Sequence, residues 1–138
     1  MLMKITYYLS ALAALSLAAC STTSRRQHGL AKSDPETVLV TYHVKSGKEA
    51  AFQEVLLRIW QIYRSEHLVF AEPHVIVRAT EEGGVTRFVE ILTWVSPAAP
   101  DHAPDAVKKL WEQEQSLCEA RGGHTGIEGG EVEIVTGR

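Results

Sequence analysis

Two cysteines in 138 residues leave no room for a disulfide framework. Basic charge is not in excess either: 14 Lys and Arg against 17 Asp and Glu give a net charge of −3. Nucleic-acid binding asks for a basic face, so that class drops out. No apolar run reaches the roughly 20 residues of a membrane-spanning helix. There is no Gly-x-Ser-x-Gly elbow, and Ser96-Pro97 offers a nucleophile no context. The glycines at Gly122-Gly123, Gly126 and Gly129-Gly130 lack the lysine and following helix of a phosphate loop. Five downstream histidines, His43, His67, His74, His102 and His124, form no His-x-x-x-His or Cys/His spacing, so no metal and no cofactor is expected.

What the chain does have begins at its N-terminus. One positive charge, Lys4, precedes an apolar stretch from Ile5 to Ala18, and small residues lead to Cys20. That is the anatomy of a secretory signal peptide. The ending Leu17-Ala18-Ala19-Cys20 resembles the lipobox of bacterial lipoproteins. The resemblance implies loss of residues 1–19, acylation of Cys20, and a cell-envelope protein held on a bacterial membrane, facing the periplasm or in the outer membrane. An uncleaved anchor is the rival reading, but the run is short for one. Several acyl chains hold firmly where one holds marginally, at about 0.8 kcal/mol per buried methylene. From Ser21 to about Glu36 the chain is rich in Ser, Thr, Arg, Gln and Lys without apolar periodicity, so residues 20–36 read as a lipidated tether. Removing Lys4 leaves 13 basic against 17 acidic residues, about −4.

Residues 37–138 amount to one domain of common size. Val38 to Val44 alternates and is β-branched, which predicts a strand. Ser46-Gly47-Lys48-Glu49 has a capping-box pattern. Behind it Phe52, Val55, Leu56, Ile59, Ile62 and Tyr63 recur at helical spacing to about Glu66. A second strand is expected over His74–Thr80, a turn at Gly83-Gly84, and a third strand over Val85–Val95. After a loop with Pro97, Pro100 and Pro104, a second helix is expected to carry Ala106, Val107, Leu110, Trp111, Glu114, Leu117 and Cys118 along one side and to stop at Gly122-Gly123. A short last strand is expected over Glu131–Thr136.

The order β-α-β-β-α-β is the split βαβ pattern of ferredoxin-like folds. The fold class is α+β, an antiparallel sheet with both helices on one face. On the third strand Phe88, Glu90, Leu92 and Trp94 share one side and Val89, Ile91, Thr93 and Val95 the other, so neither is a plain solvent face. A one-residue slip at the Gly83-Gly84 turn would exchange them. Either way an apolar sheet face is left over, which points to a partner.

The element order, the long third strand ending Glu90-Ile91-Leu92-Thr93-Trp94, the proline loop and Trp111 resemble the dimeric α/β-barrel superfamily, in its antibiotic-biosynthesis-monooxygenase-like branch. The resemblance spans nearly all of Val38–Val135. It implies a homodimer closed sheet to sheet, and a small-molecule pocket between sheet and helices. Members include cofactor-independent oxygenases of aromatic polyketides, haem-binding and haem-degrading proteins, and isomerases. Haem-degrading members use a histidine on the second helix, which this chain lacks.

Pocket candidates are Trp60, Tyr63, His67, His74, Glu90, Trp94 and Trp111, the aromatics offering stacking surface for a flat aromatic ligand. The bland alternative for each aromatic is core or dimer packing. Glu90, a carboxylate amid an apolar strand, needs a partner. Arg78 or Arg87 would supply one, or else Glu90 serves as a base. Cys118 has no partner in the mature chain and reads as a buried, inert thiol. Three functions follow: a membrane-tethered domain binding a small aromatic molecule, a cofactor-independent monooxygenase-like enzyme, or a structural lipoprotein without a ligand.

Overall fold

A computed structural model describes residues 34–135. The signal segment, Cys20 and nearly all of the tether lie outside those residues. The element order is β1 (Glu36–His43), α1 (Glu49–Ser65), β2 (Val75–Thr80), β3 (Thr86–Trp94), α2 (Asp105–Leu117) and β4 (Ile127–Glu131). A single 3-10 turn, Ala99–His102, sits in the proline loop. The sheet runs β2-β3-β1-β4 with every neighbouring pair antiparallel, two interleaved β-α-β units as expected. Among the described residues no helix is long and apolar enough to cross a membrane.

Helix α1 forms because Phe52, Val55, Leu56, Ile59 and Tyr63 put one apolar stripe on the sheet. Its start differs from the expected capping box. Lys48 occupies the cap position without a side-chain hydrogen bond, and Ser46 lies in a turn closed by Lys48 N–H donating to the Lys45 carbonyl. Gly47, at φ +77°, gives that turn its left-handed corner, and this spends Ser46 before the helix begins. The helix ends in a Schellman motif: Leu68 N–H reaches the Tyr63 carbonyl, and His67 N–H reaches Arg64.

Cross-strand register decides the faces. Phe88, Leu92 and Trp94 lie against the helices, buried with Tyr42, Phe52, Leu56, Val55, Ile59, Val107 and Leu110. On the opposite face two rows cross the sheet, Val75–Ile91–Leu39 and Val77–Val89–Thr41. Val75 and Val77 are 44% and 49% exposed there. The leftover apolar face is therefore real, and it carries the valines rather than Phe88 and Trp94.

Two boundaries move. Strand β4 lies four residues earlier than expected, because its partner is β1: Ile127 pairs with Tyr42 and Glu131 with Val38. Val132 N–H still reaches the Thr37 carbonyl, but β1 begins at Glu36, so the β-branched Ile134 and Val135 run past the sheet and stay exposed. Helix α2 ends at Leu117, well short of the stop expected at Gly122-Gly123, because Cys118 turns extended and bridges Val44. Cys118 is buried as expected, and burial pushes its thiol up to about 12, away from reactivity.

Phe52 is the residue the core can least spare. Its ring lies 4.9 Å from Tyr42 and 5.1 Å from Phe88 between centroids, fully shielded from solvent. Phe52→Ala is expected to lower the unfolding free energy by about 3–5 kcal/mol, a large share of a small domain's stability, read from the urea midpoint at unchanged slope.

Candidate functional site

A pocket of about 320 Å³ opens between the sheet and α2. Val40 and Tyr42 of β1, Trp94 of β3 and Ile127 of β4 form its floor; Tyr63 of α1 and Trp111, Glu114 and Gln115 of α2 form its walls. The sheet supplies Val40 and Tyr42 two residues apart because alternate side chains of a strand share a face. Helix α2 supplies Trp111 and Glu114 three residues apart, neighbours on one helical face. The volume falls at the small end of the range for ligand sites.

The aromatic walls are held edge to face. Tyr63 lies 4.8 Å from Trp94 and 6.4 Å from Trp111 between ring centroids, each at 61°. Trp111 Nε1–H donates to the Tyr63 hydroxyl at 2.6 Å, which fixes both rings. Burial raises the Tyr63 phenol far above its usual range, so it stays protonated.

Two carboxyl groups lie under this wall and they differ. Glu90, 2% exposed, is fully partnered: Tyr42 Oη donates to Oε2 at 2.9 Å, and His74 Nε2 lies 2.9 Å from Oε1. Neither arginine expected to pair with it does so. Arg78 lies over the Phe88 ring, and Arg87 is on the other face of the strand, 3.9 Å from Glu81. Strand parity makes that separation, since Arg87 and Glu90 are an odd number of residues apart. Burial, with Glu90 nearby, also holds the Tyr42 phenol well above its usual range.

Glu114 is 5% exposed, and its Oε1 has no hydrogen-bond partner. Burial pushes its carboxyl up to about 8, with the negative charge of Glu90 adding to the rise. At neutral pH it is mainly the neutral acid, a donor at the pocket wall. Glu114 stood on the apolar stripe of the second helix in the sequence, and a carboxylate on such a stripe was the available signal.

Of the seven candidates, Tyr63, Trp94 and Trp111 converge on the pocket. Glu90 adjoins it through Tyr42. Trp60 and His74 lie to one side, stacked at 3.4 Å and 12°, where Trp60 buttresses the imidazole that partners Glu90. His67 is exposed at φ 55° in the exit turn of α1, remote in role from the pocket lining. Val40, Tyr42, Glu114, Gln115 and Ile127 are the lining residues that sequence reasoning did not name as candidates.

No protein-family model matches the chain, and no curated protein matches it by sequence. Solved structures do match. SnoaB, a cofactor-independent oxygenase from Streptomyces nogalater, gives a TM-score of 0.56 at 17% identity, covering 75% of this chain and 96% of its own. A conserved protein from Methanosarcina mazei Go1 gives 0.54 at 13% identity, over 73% of this chain and 95% of that one. A dimeric ferredoxin-like protein from Jannaschia sp. CCS1 gives 0.54 at 15% identity, over 72% and 99%. The fold is ferredoxin-like. At such identities the likeness is one of fold, and function rests on the site itself.

Glu114 has a measurable signature. Its native pKa lies above its unfolded value, so between about pH 4.5 and 8 the native state holds a proton the unfolded state has lost. Stability therefore falls as pH rises through that window, by up to about 1.4 kcal/mol per pH unit. Glu114→Gln removes this contribution. The difference in unfolding free energy between variant and wild type is expected to grow from pH 5 to pH 8 and then level; a constant difference in urea titrations would refute the buried neutral acid.

Proposed function

We propose that this chain is a membrane-tethered envelope lipoprotein whose domain pairs as a dimeric α/β barrel and binds a small aromatic molecule. The observation that carries the ligand reading is the pocket: two tryptophans and two tyrosines around a cavity lined also by a neutral carboxyl, Glu114, whose Oε1 has no hydrogen-bond partner. A flat ring stacks on Trp94 or Trp111, and a carbonyl or hydroxyl on it takes the Glu114 proton as a hydrogen bond. Pairing has support from the apolar rows Val75–Ile91–Leu39 and Val77–Val89–Thr41, and from the dimeric neighbour of the same fold. Tethering has support from the lipobox-like ending at Cys20 alone.

A second reading, a cofactor-independent monooxygenase-like enzyme, is favoured by one feature. A carboxyl raised to about 8 beside an aromatic pocket matches the demand on a group that exchanges a proton with a phenolic substrate near neutral pH. The fold shared with SnoaB agrees with this reading without establishing it. Oxygen uptake on adding a phenolic substrate separates enzyme from binder.

The decisive experiment is on the full chain, purified gently in detergent. Native mass spectrometry is expected to show a dimer, and titration with 1-naphthol to quench tryptophan fluorescence saturably. Trp111→Ala should weaken that binding at least tenfold while the dimer mass persists. A monomer, or 1-naphthol binding indifferent to Trp111, would sink the reading.

The tether has its own test. Cells fed labelled palmitate are expected to label the wild-type chain, and Cys20→Ala should abolish both label and membrane fractionation. An unlabelled wild type that still pellets with membranes would favour an uncleaved anchor.

A further inference from the structure

At the far end of the sheet, on the face away from the helices, three side chains from distant parts of the chain meet. His43 ends β1, His124 lies in the loop after α2, and Glu128 is in β4. One donor atom from each lies within 4.8 Å of the other two. His124 Nδ1 is 3.1 Å from both Glu128 oxygens, and His43 Nε2 is 3.9 Å from Oε2. The two imidazoles stack, 5.5 Å apart at 22°.

His43 makes this more than a surface cluster. It is 3% exposed, and neither ring nitrogen has a hydrogen-bond partner. A buried imidazole left in that state costs free energy, because water satisfied both nitrogens before folding. Glu81 Oε1 stands 3.3 Å from Nδ1, but misaligned for a hydrogen bond. Glu81 itself is fixed by Arg121 Nε–H at 2.8 Å, and Arg121 is fixed in turn by the Val44 and Thr86 carbonyls. A slight turn of the ring brings Nδ1–H onto Glu81 and leaves the Nε2 lone pair facing Glu128 and His124. Metal-bound histidines carry this carboxylate partner on the outer nitrogen.

The geometry points to a divalent transition-metal site, of the zinc class, held by His43, His124 and Glu128, with Glu81 as the outer carboxylate on His43. Two imidazole nitrogens and one carboxylate suit such ions, whereas magnesium and calcium take all-oxygen sets. Around a tetrahedral ion with bonds of about 2.0–2.1 Å, ligand atoms stand roughly 3.3 Å apart, so from a spread of up to 4.8 Å the set must contract by up to about 1.5 Å at its widest. His124 and Glu128, with side chains 58% and 38% exposed, are free to make that movement while His43 stays fixed. Local charge permits a cation: Glu81, Glu119 and Glu128 outnumber Arg87 and Arg121 around the site. A groove of about 360 Å³ beside His43 and His124 leaves the fourth position open to water or a small anionic ligand. The site lies across the sheet from the aromatic pocket and does not depend on it.

The test is isothermal titration of the full, metal-stripped chain with zinc chloride, alongside copper(II) EPR. One zinc per chain is expected, with two nitrogen ligands in the copper spectrum and no magnesium binding. His124→Ala and Glu128→Gln, both at side chains open to solvent, should each weaken zinc at least tenfold, and His124→Ala should remove one nitrogen. His43→Ala is the less clean variant, since it also empties a buried position. Absence of stoichiometric zinc binding, or zinc binding unaffected by both exposed variants, overturns the proposal; it leaves the 1-naphthol result untouched.

Discussion

The register of β3 against β1 is the constraint on which the rest hangs. Tyr42 stands opposite Phe88, Val40 opposite Glu90 and Val38 opposite Leu92, all beneath the helices. Because side chains alternate, that one choice sends Leu39, Thr41, Val89 and Ile91 to the other face. A slip of one residue would bury Arg87 under α1 and expose Phe88, so burial itself enforces the register. The Glu81–Val85 turn, with Gly83 and Gly84 at positive φ, makes the parity reachable.

Parity also decides the chemistry. It brings Glu90 into the core, where Tyr42 and His74 satisfy it, and Trp60 holds His74 in place by stacking. Glu114, buried and with no hydrogen-bond partner for its Oε1, answers by holding its proton, and the negative charge of Glu90 adds to that. The two carboxyls thus divide roles: one is a satisfied structural anchor, the other an unsatisfied group that a ligand can satisfy. A chain selected for stability alone gains nothing from Glu114 on an apolar stripe, since a leucine there would remove a buried polar atom.

Much of this was legible in the sequence, for reasons that differ element by element. The helical period of Phe52, Val55, Leu56, Ile59 and Tyr63 and the alternation of β1 are local signals, and both elements formed where those signals lay. The leftover apolar face was legible too, since both sides of β3 are apolar. Its identity was not, because register is set by pairing across the sheet. β4 was misplaced because Ile134 and Val135 have strand propensity, whereas pairing ends where β1 ends. Ser46 failed as a cap through the geometry of a single glycine. In the pocket, Tyr63, Trp94 and Trp111 stood out by type, while Tyr42 and Glu114 acquire meaning only from what surrounds them. The Arg78 and Arg87 expectation for Glu90 overlooked that a neutral phenol and an imidazole can satisfy a carboxylate as well as a guanidinium.

His43 shows the same limit from the other side of the sheet. In sequence it is one polar residue at the end of a strand, with no spacing relation to His124 or Glu128. The fold places it under a histidine from the loop after α2 and beside a glutamate of β4, both delivered by the return of the chain along β1. The sheet therefore separates two unsatisfied groups: Glu114 beneath the helices, in an aromatic setting that favours a flat organic ring, and His43 on the far face, in a carboxylate and imidazole setting that favours a cation. Each has a buried polar atom without a hydrogen-bond partner, whereas Glu90, as deeply buried, has both carboxylate oxygens satisfied. Two such groups, with opposite ligand preferences on opposite faces of one sheet, are better explained by two things the domain binds than by two separate faults in its packing.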